Sequence, residues 1–153
     1  MAKETIDAFA DLVAEIRHIK SIEDVHKAFK ILRQLRTHLT LESFTELYFK
    51  MNREGYRLVA LEIEGEMVAV AGINILTNFY NNRFLLVYDL VTDELQRSSG
   101  YGEQLLSYIH EYARGQGCTY VTLESALHRV DAHRFYEDKM NYDKFCYSFR
   151  YTL

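Results

Sequence analysis

"DLVTDELQRSSGYGEQLL", Asp89 to Leu106, is where the texture of the chain changes. A β-rich run ends, an arginine, two serines and two glycines follow, and a helical spacing begins. Glycines permit close backbone approach, and a helix N-terminus offers free N–H groups and a positive dipole end to an anion. Arg97 adds charge, and Ser98 and Ser99 add hydroxyl donors beside Gly100, Tyr101 and Gly102. A phosphate cradle is one reading of this turn. A plain strand-to-helix turn, with glycine chosen only for positive φ, is the other. On the turn alone the two stand level. A P-loop needs GxxxxGK[ST], and no lysine follows the second glycine. The dinucleotide fingerprint GxGxxG would need glycine at Leu105. Glu124 does lie about where a ribose-binding carboxylate is expected, so that match is partial.

Working outward, Ser21-Ile22-Glu23-Asp24 resembles a capping box. Ile22, Val25, Phe29, Leu32, Leu35 and Leu39 then recur at helical spacing. Thr40 can cap a second helix with Phe44, Leu47, Tyr48 and Met51 inward and Gly55 as its stop. Leu12 to Ile19 reads either as a strand or as the end of an N-terminal helix. "YRLVALEIEGEMVAVAGINIL" is two β-rich runs around Glu64-Gly65-Glu66, a hairpin. "FLLVYDLV" is a third strand, antiparallel to the second. A helix from about Gly102 to Arg114 separates it from "CTYVTLES", which should therefore run parallel to it. A last helix covers "VDAHRFYEDKM" and closes at Asn141. The tail "FCYSFRYTL" alternates, with Phe145, Tyr147, Phe149 and Tyr151 on one face, and predicts a half-buried strand. This order predicts a mixed α/β (α+β) fold: a mostly antiparallel sheet, helices on both faces and one βαβ crossover carrying the glycine turn.

The 153 residues fit a single domain spanning 1–153. Such a chain buries roughly 68–70% of its unfolded surface, enough for a core without staples. Hydrophobic residues make up 48% and charged residues 26%, ordinary for a globular protein. Eighteen Lys and Arg against 22 Asp and Glu leave a net charge of −4, which argues against nucleic acid and suits a cationic small substrate and simple solubility equally well. Lys3, Glu4, Asp7 and Asp11 interrupt the N-terminal run, so no signal-peptide core is expected. No apolar run approaches the about 20 residues needed to span a membrane. Cys118 and Cys146 lie far apart and read as reduced thiols of a cytoplasmic protein. His128 and His133 are five residues apart, poor spacing for one helix face, and no metal site is expected.

Two motifs together break the tie at the turn. The chain resembles the GNAT superfamily of N-acetyltransferases. The superfamily's pyrophosphate motif, Q/R-x-x-G-x-G/A, is matched by Arg97-Ser98-Ser99-Gly100-Tyr101-Gly102. Its later "AxxFYExxGF" is matched from Ala132 through Phe135-Tyr136-Glu137 to Asn141-Tyr142. The element order agrees along nearly the whole chain. Asn141 stands in place of the usual glycine, and Arg129 where many members have asparagine. The spacing from Val91 to Arg97 is one residue longer than the common pattern. One strand follows Tyr142 where the superfamily often has two, so the sheet edge is open or completed by another subunit, as in a homodimer.

The resemblance implies acetyl-CoA as cosubstrate and a primary amine, on a small molecule or a protein, as acceptor. The pyrophosphate would sit on the amides from Ser98 to Gly102, and the pantetheine arm would add strand-like bonds to Leu90 and Val91. The amine would attack the thioester directly, and Tyr136 would return a proton to the leaving thiolate. Ordinary pKa values of about 10 and 8.5 differ by roughly 1.5 units, about 2 kcal/mol. Asp89 and Glu124, near the strand ends, are the candidate carboxylates for taking the amine's proton; a relayed water is an equal alternative. For each, a solvated strand-end carboxylate or a structural partner for arginine is the plainer reading. His133 could share a helix face with Tyr136 but reads more simply as a packed or exposed helix residue. The run "RQLRTH" either frames the acceptor pocket or is a solvated helix end. A non-catalytic acyl-CoA sensor and a dinucleotide-binding regulatory domain are the competing functions.

Overall fold

The computed structural model describes residues 14–153. The N-terminal stretch weighed as a signal peptide, with Leu12 and Val13, lies outside them. Strand β1 (Ala14–Ile19) leads into helices α1 (Ile22–Leu32) and α2 (Leu41–Arg53). A meander follows: β2 (Arg57–Ile63), β3 (Glu66–Asn78) and β4 (Asn82–Thr92). After a short 3-10 turn at Glu94–Gln96 come α3 (Tyr101–Gly115), β5 (Tyr120–Leu123) and α4 (Val130–Arg134), which continues as a π-helical turn at Phe135–Lys139. The five strands form one sheet in chain order, antiparallel except between β4 and β5. The crossover through α3 makes that last pair parallel. This is the mixed sheet that the sequence predicts, and Ala14–Ile19 resolves as strand.

Local chemistry places these elements. The Ser21 hydroxyl accepts from the Asp24 amide and starts α1, and Thr40 and Ser43 form a reciprocal capping box at α2. Glu64 and Gly65 both have positive φ, the requirement of a tight two-residue hairpin between β2 and β3. Period-two alternation in the strands then divides the interior. Leu58, Ala60, Val70 and Val91 face α1 and α2; Val59, Leu61, Ala69, Ala71, Leu85 and Val87 face α3. Leu105, Leu106 and Ile109 of α3 are wholly buried against that second face.

Three expectations change. The apolar stripe runs to Leu39, but α1 ends at Leu32, and Leu35 and Leu39 pack onto the same core from the turns beyond it. Ile22 and Leu47 are exposed rather than inward. Helix α2 meets the core along a narrow edge, led by Phe44 stacked on Phe29 with ring centroids 4.7 Å apart, and Leu47 falls off that edge. The tail forms no strand. Every residue from Asp143 to Leu153 is exposed and none joins the sheet, although the outer edge of β5 has no partner among the described residues.

Two histidines stitch α3 to its neighbours. His18 Nε2 lies 2.9 Å from the Tyr108 hydroxyl, and His110 Nε2 lies 2.7 Å from the Tyr142 hydroxyl. Burial, helped by Lys20 in one case and Arg114 in the other, pushes both imidazoles below the usual histidine range. The unfolded chain therefore takes up protons that the folded chain refuses. Their contribution to stability is complete above about pH 6.5 and is lost as pH falls below it. Urea midpoints measured between about pH 7.5 and 5.5 should decline, and His18→Gln with His110→Gln should flatten that decline.

Candidate active site

The site originates in one irregularity. Across β3 and β4, Ile73 pairs with Val87 and Gly72 with Asp89, which leaves Tyr88 as an extra residue, a β-bulge. A bulge bends its strand and sharpens the local twist. On the other side of β4, pairing with β5 ends at Val87 and Leu123. Strand β4 runs on to Thr92 while the chain leaves β5 at Glu124, and a cleft open to solvent lies where they diverge. Asp89 and Leu90 line it from β4, Glu124 and Ser125 from beyond β5, Arg36 from beyond α1, and Tyr136 from the π-turn.

Asp89 is fully engaged. Arg36 Nε donates to one carboxylate oxygen at 2.9 Å, and the Tyr56 hydroxyl donates to the other at 2.7 Å. Arg36 also donates through Nη2 to the Tyr88 carbonyl at 2.9 Å, which fastens the bulge. Tyr56 reaches Asp89 across Gly72. A Cβ on Gly72 would stand 1.8 Å from the Tyr56 hydroxyl oxygen, so only glycine leaves the ring its place. Burial, reinforced by the Asp89 carboxylate, drives the Tyr56 phenol well above the usual tyrosine range. Of the two sequence readings of Asp89, its geometry is that of an arginine's partner. Glu124, in contrast, is exposed and makes no hydrogen bond or ion pair with any described residue.

Tyr136 sits inside the π-turn, a backbone form often found at functional sites. It is 9% exposed, and its hydroxyl bonds no described residue. Phe135 packs edge-on to its ring, and Tyr142, anchored by His110, lies on another side. Burial raises the phenol, with Arg129 pulling the other way. The distance to a thiol's pKa therefore exceeds the about 1.5 units between ordinary groups. Nearby, the Ser125 hydroxyl oxygen is buried without a hydrogen-bond partner among the described residues. His133 bonds the Ala126 carbonyl at 2.9 Å and so braces the loop after β5.

The glycine turn lies beyond the end of β4. Ser98 and Gly100 both have positive φ, and Gly100 is the N-cap of α3 without any side-chain cap. The first helical bond runs from the Gln104 amide to the Gly100 carbonyl, and no amide from Ser98 to Glu103 donates to a described residue. These are the orphan donors of a helix start. A Cβ on Gly102 would come 3.2 Å from the Thr92 hydroxyl, whereas Gly100 faces open space and is required by its φ. Arg97 is exposed, its Nε a marginal 3.5 Å from the Thr92 carbonyl. Glu103, the one acidic residue of that first turn, is paired with Lys139 at 3.3 Å. Gln34 ties the preceding turn to the end of α1, accepting from the Glu94 amide at 2.9 Å.

The structure thus brings Asp89, Leu90, Glu124 and Tyr136 to one cleft, and sets Arg97 to Gly102 past the far end of the strand that carries Leu90 and Val91. Arg36 falls in the run "RQLRTH", read from sequence as either a frame for the acceptor pocket or a solvated helix end, while Tyr56 and Ser125 escaped sequence reading as site residues. Among the described residues, no three His, Cys, Asp or Glu side chains converge as metal ligands.

A meander, a bulged β4 splayed from a parallel β5 and a helix opening on a glycine turn make up this scaffold. Residues 21–142 match the model of the acetyltransferase (GNAT) family, and the chain belongs to that family. It is 36% identical over 136 residues to a Bacillus subtilis (strain 168) protein called the uncharacterized N-acetyltransferase YhdJ, covering 88% of this chain and 96% of that one. The aminoglycoside N-acetyltransferase AAC(6')-Iy, solved in complex with CoA, has the same fold at a TM-score of 0.78, 11% identity, and coverage of 93% of this chain and 95% of that one. An aminoglycoside acetyltransferase from an uncultured soil metagenomic sample, in complex with sisomicin, also superimposes at 0.78, with 17% identity and coverage of 97% and 99%. The protein is an acyltransferase.

Gly72→Ala should lower unfolding free energy by about 1–3 kcal/mol through overpacking against Tyr56. In the Tyr56→Ala background the same substitution should cost much less, and a double-mutant cycle by urea denaturation measures the difference.

Proposed function

We propose that the enzyme moves the acetyl group of acetyl-CoA to a primary amine of a small molecule or protein by direct attack. The observation that carries this reading is the cleft between β4 and β5, with unbonded amides beyond one end and Tyr136 at the other. The Ser98 to Gly102 amides, with Arg97 beside them, take the pyrophosphate. Leu90, past the last β5 pair, turns its backbone groups away from β3 and toward an extended pantetheine arm, whereas Val91 pairs with Val70 of β3 and flanks that contact. The amine nitrogen attacks the thioester carbon, the C–S bond breaks, and the thiolate takes the Tyr136 proton.

Burial of Tyr136 keeps it protonated through the neutral range, as a proton donor requires. It also makes the transfer more uphill than it is from an ordinary phenol, so the thiolate must be close and poorly solvated when it forms. Asp89 acts as a positioning residue: it holds Arg36 and Tyr56, and through Arg36 the bulge. Glu124 is the carboxylate free to meet an ammonium group and, directly or through water, to take its proton. An exposed carboxylate at the mouth and a net charge of −4 favour cationic acceptors. The unpartnered Ser125 hydroxyl is suited to bond the ligand beside Tyr136.

An amine panel assayed by free-thiol release tests this reading. Tyr136→Phe should lower turnover by about 10²–10⁴-fold, the range for a general acid, while leaving acetyl-CoA affinity nearly intact. Unaltered turnover would show that the thiolate's proton comes from elsewhere. Glu124→Gln should lower kcat/KM for cationic acceptors and spare acetyl-CoA binding. Replacing Gly100 with valine, which tolerates its φ poorly, should abolish the thermal stabilisation that CoA confers, and stabilisation of wild-type size would remove the glycine turn from the cofactor site.

A further inference from the structure

Arg129 is a cation without a counter-ion. It lines the cleft between β4 and β5 together with Glu124, Ser125 and Tyr136. The residue is half-buried, and its guanidinium makes no hydrogen bond or ion pair with any described residue. A charge drawn partly out of water normally has a partner. The other guanidinium of the cleft, Arg36, has one in Asp89 at 2.9 Å. The backbone of Arg129, by contrast, is pinned on both sides. Its amide donates to the Ala126 carbonyl at 3.0 Å, and its carbonyl accepts from the His133 amide at 3.1 Å. The His133 ring, bonded to the same Ala126 carbonyl, braces the turn. Arg129 is the N-cap of α4, yet its side chain makes no capping bond. The turn is fixed and the guanidinium is left unengaged.

The carboxylates around it are taken or stand apart. Asp89 is held by Arg36, and Asp131, two residues on, pairs with Arg134 at 3.3 Å. Glu124 is exposed and makes no ion pair with Arg129. The reaction itself creates the missing anion. When the thioester C–S bond breaks, its electron pair stays on sulfur. The thiolate takes the Tyr136 proton, and the negative charge passes to the phenol oxygen until a proton released by the amine restores it. Burial resists a charge on that phenol, and Arg129 is the charge that acts against this resistance. A guanidinium stays protonated at every working pH, so it stabilises an anion without competing to protonate it.

We infer that Arg129 stabilises the negative charge that forms on the leaving sulfur and then passes to Tyr136. The inference rests on Tyr136 as the proton donor, and it answers the difficulty which that reading raises. A buried phenol yields its proton uphill, and a fixed cation beside both oxygen and sulfur lowers the hill at each stage of the transfer. An anionic group carried by the acceptor is the other charge that the guanidinium could meet. The cleft wall that Arg129 shares with Tyr136 favours the reacting centre, and the two alternatives differ in what they change. A charge on the acceptor acts through the acceptor's KM, whereas a charge born in the reaction acts through kcat.

Two measurements on the full chain test it: steady-state kinetics with acetyl-CoA and an accepted amine, and titration of the CoA thiol in its binary complex by thiolate absorbance. Arg129→Gln, similar in length but neutral, should lower kcat by about 10–100-fold, the effect of removing an opposite charge worth about 1–2 pKa units. KM for acetyl-CoA and for the amine should stay nearly unchanged. Arg129→Lys should recover most of the loss. Both variants should keep the wild-type circular dichroism, because no side-chain bond of Arg129 holds the turn. The thiol of bound CoA should titrate about 1 pKa unit higher in Arg129→Gln than in the wild type. The same displacement should appear in a Tyr136→Phe background, where no phenol can donate. Wild-type turnover in Tyr136→Phe would remove the proposed donor, while a displaced thiol titration would still support the role of Arg129 toward sulfur. An unmoved thiol titration, wild-type kcat in Arg129→Gln, a loss that lysine does not recover, or a change confined to either KM would each overturn the inference.

Discussion

Asp89 accepts a hydrogen bond from Arg36 on one side and from Tyr56 on the other, and the same Arg36 grips the carbonyl of the bulged Tyr88. These three bonds fix the point at which β4 stops being a partner of β5. A regular strand would continue pairing, and the parallel ladder would have nowhere to open. Gly72 is part of the same constraint, since any side chain there would expel the Tyr56 ring that completes the lock. The most heavily engaged carboxylate of the cleft therefore acts on its shape, and freer groups lie around it.

Those groups differ in the way a transfer reaction requires. Beyond one end of the cleft strand lie amides with no partner among the described residues, at the positive end of the α3 dipole, with the nearby Glu103 charge neutralised by Lys139. At the other end, Tyr136 is held by Phe135, Tyr142 and the π-turn in a setting that keeps its proton in place. Glu124 remains solvated and unpaired between the cleft and the exterior. Family membership establishes acyl transfer, and this division of labour is what the proposed amine acetylation draws on.

Much of this was legible in the sequence because it is written in local rules. The caps at Ser21 and Thr40, the Glu64-Gly65 turn, the left-handed Asn141 and the Gly100 N-cap follow from the conformational tastes of single residues. The strand and helix order followed from hydrophobic period. What escaped was set by distance along the chain. Arg36 lies 53 residues from Asp89 and Tyr56 lies 33, and no local pattern announces that they meet. The bulge at Tyr88 leaves no mark in the alternation of "FLLVYDLV". Leu47 belongs to its helical stripe by spacing, yet α2 packs too narrowly to cover it. The tail shows the converse failure: its alternation is that of a strand, but a strand's burial depends on a partner that its own sequence does not name.

Amide hydrogen exchange with and without CoA addresses the central claim most directly, since a chain without proline reports at every position after the first. If the cofactor lies along the splayed strand with its diphosphate on the helix start, protection should rise together at Leu90 and the amides from Ser98 to Gly102, and leave the β1–β2 side of the sheet unchanged. Protection that appears elsewhere, or CoA binding that leaves those amides exchanging as freely as before, would contradict it.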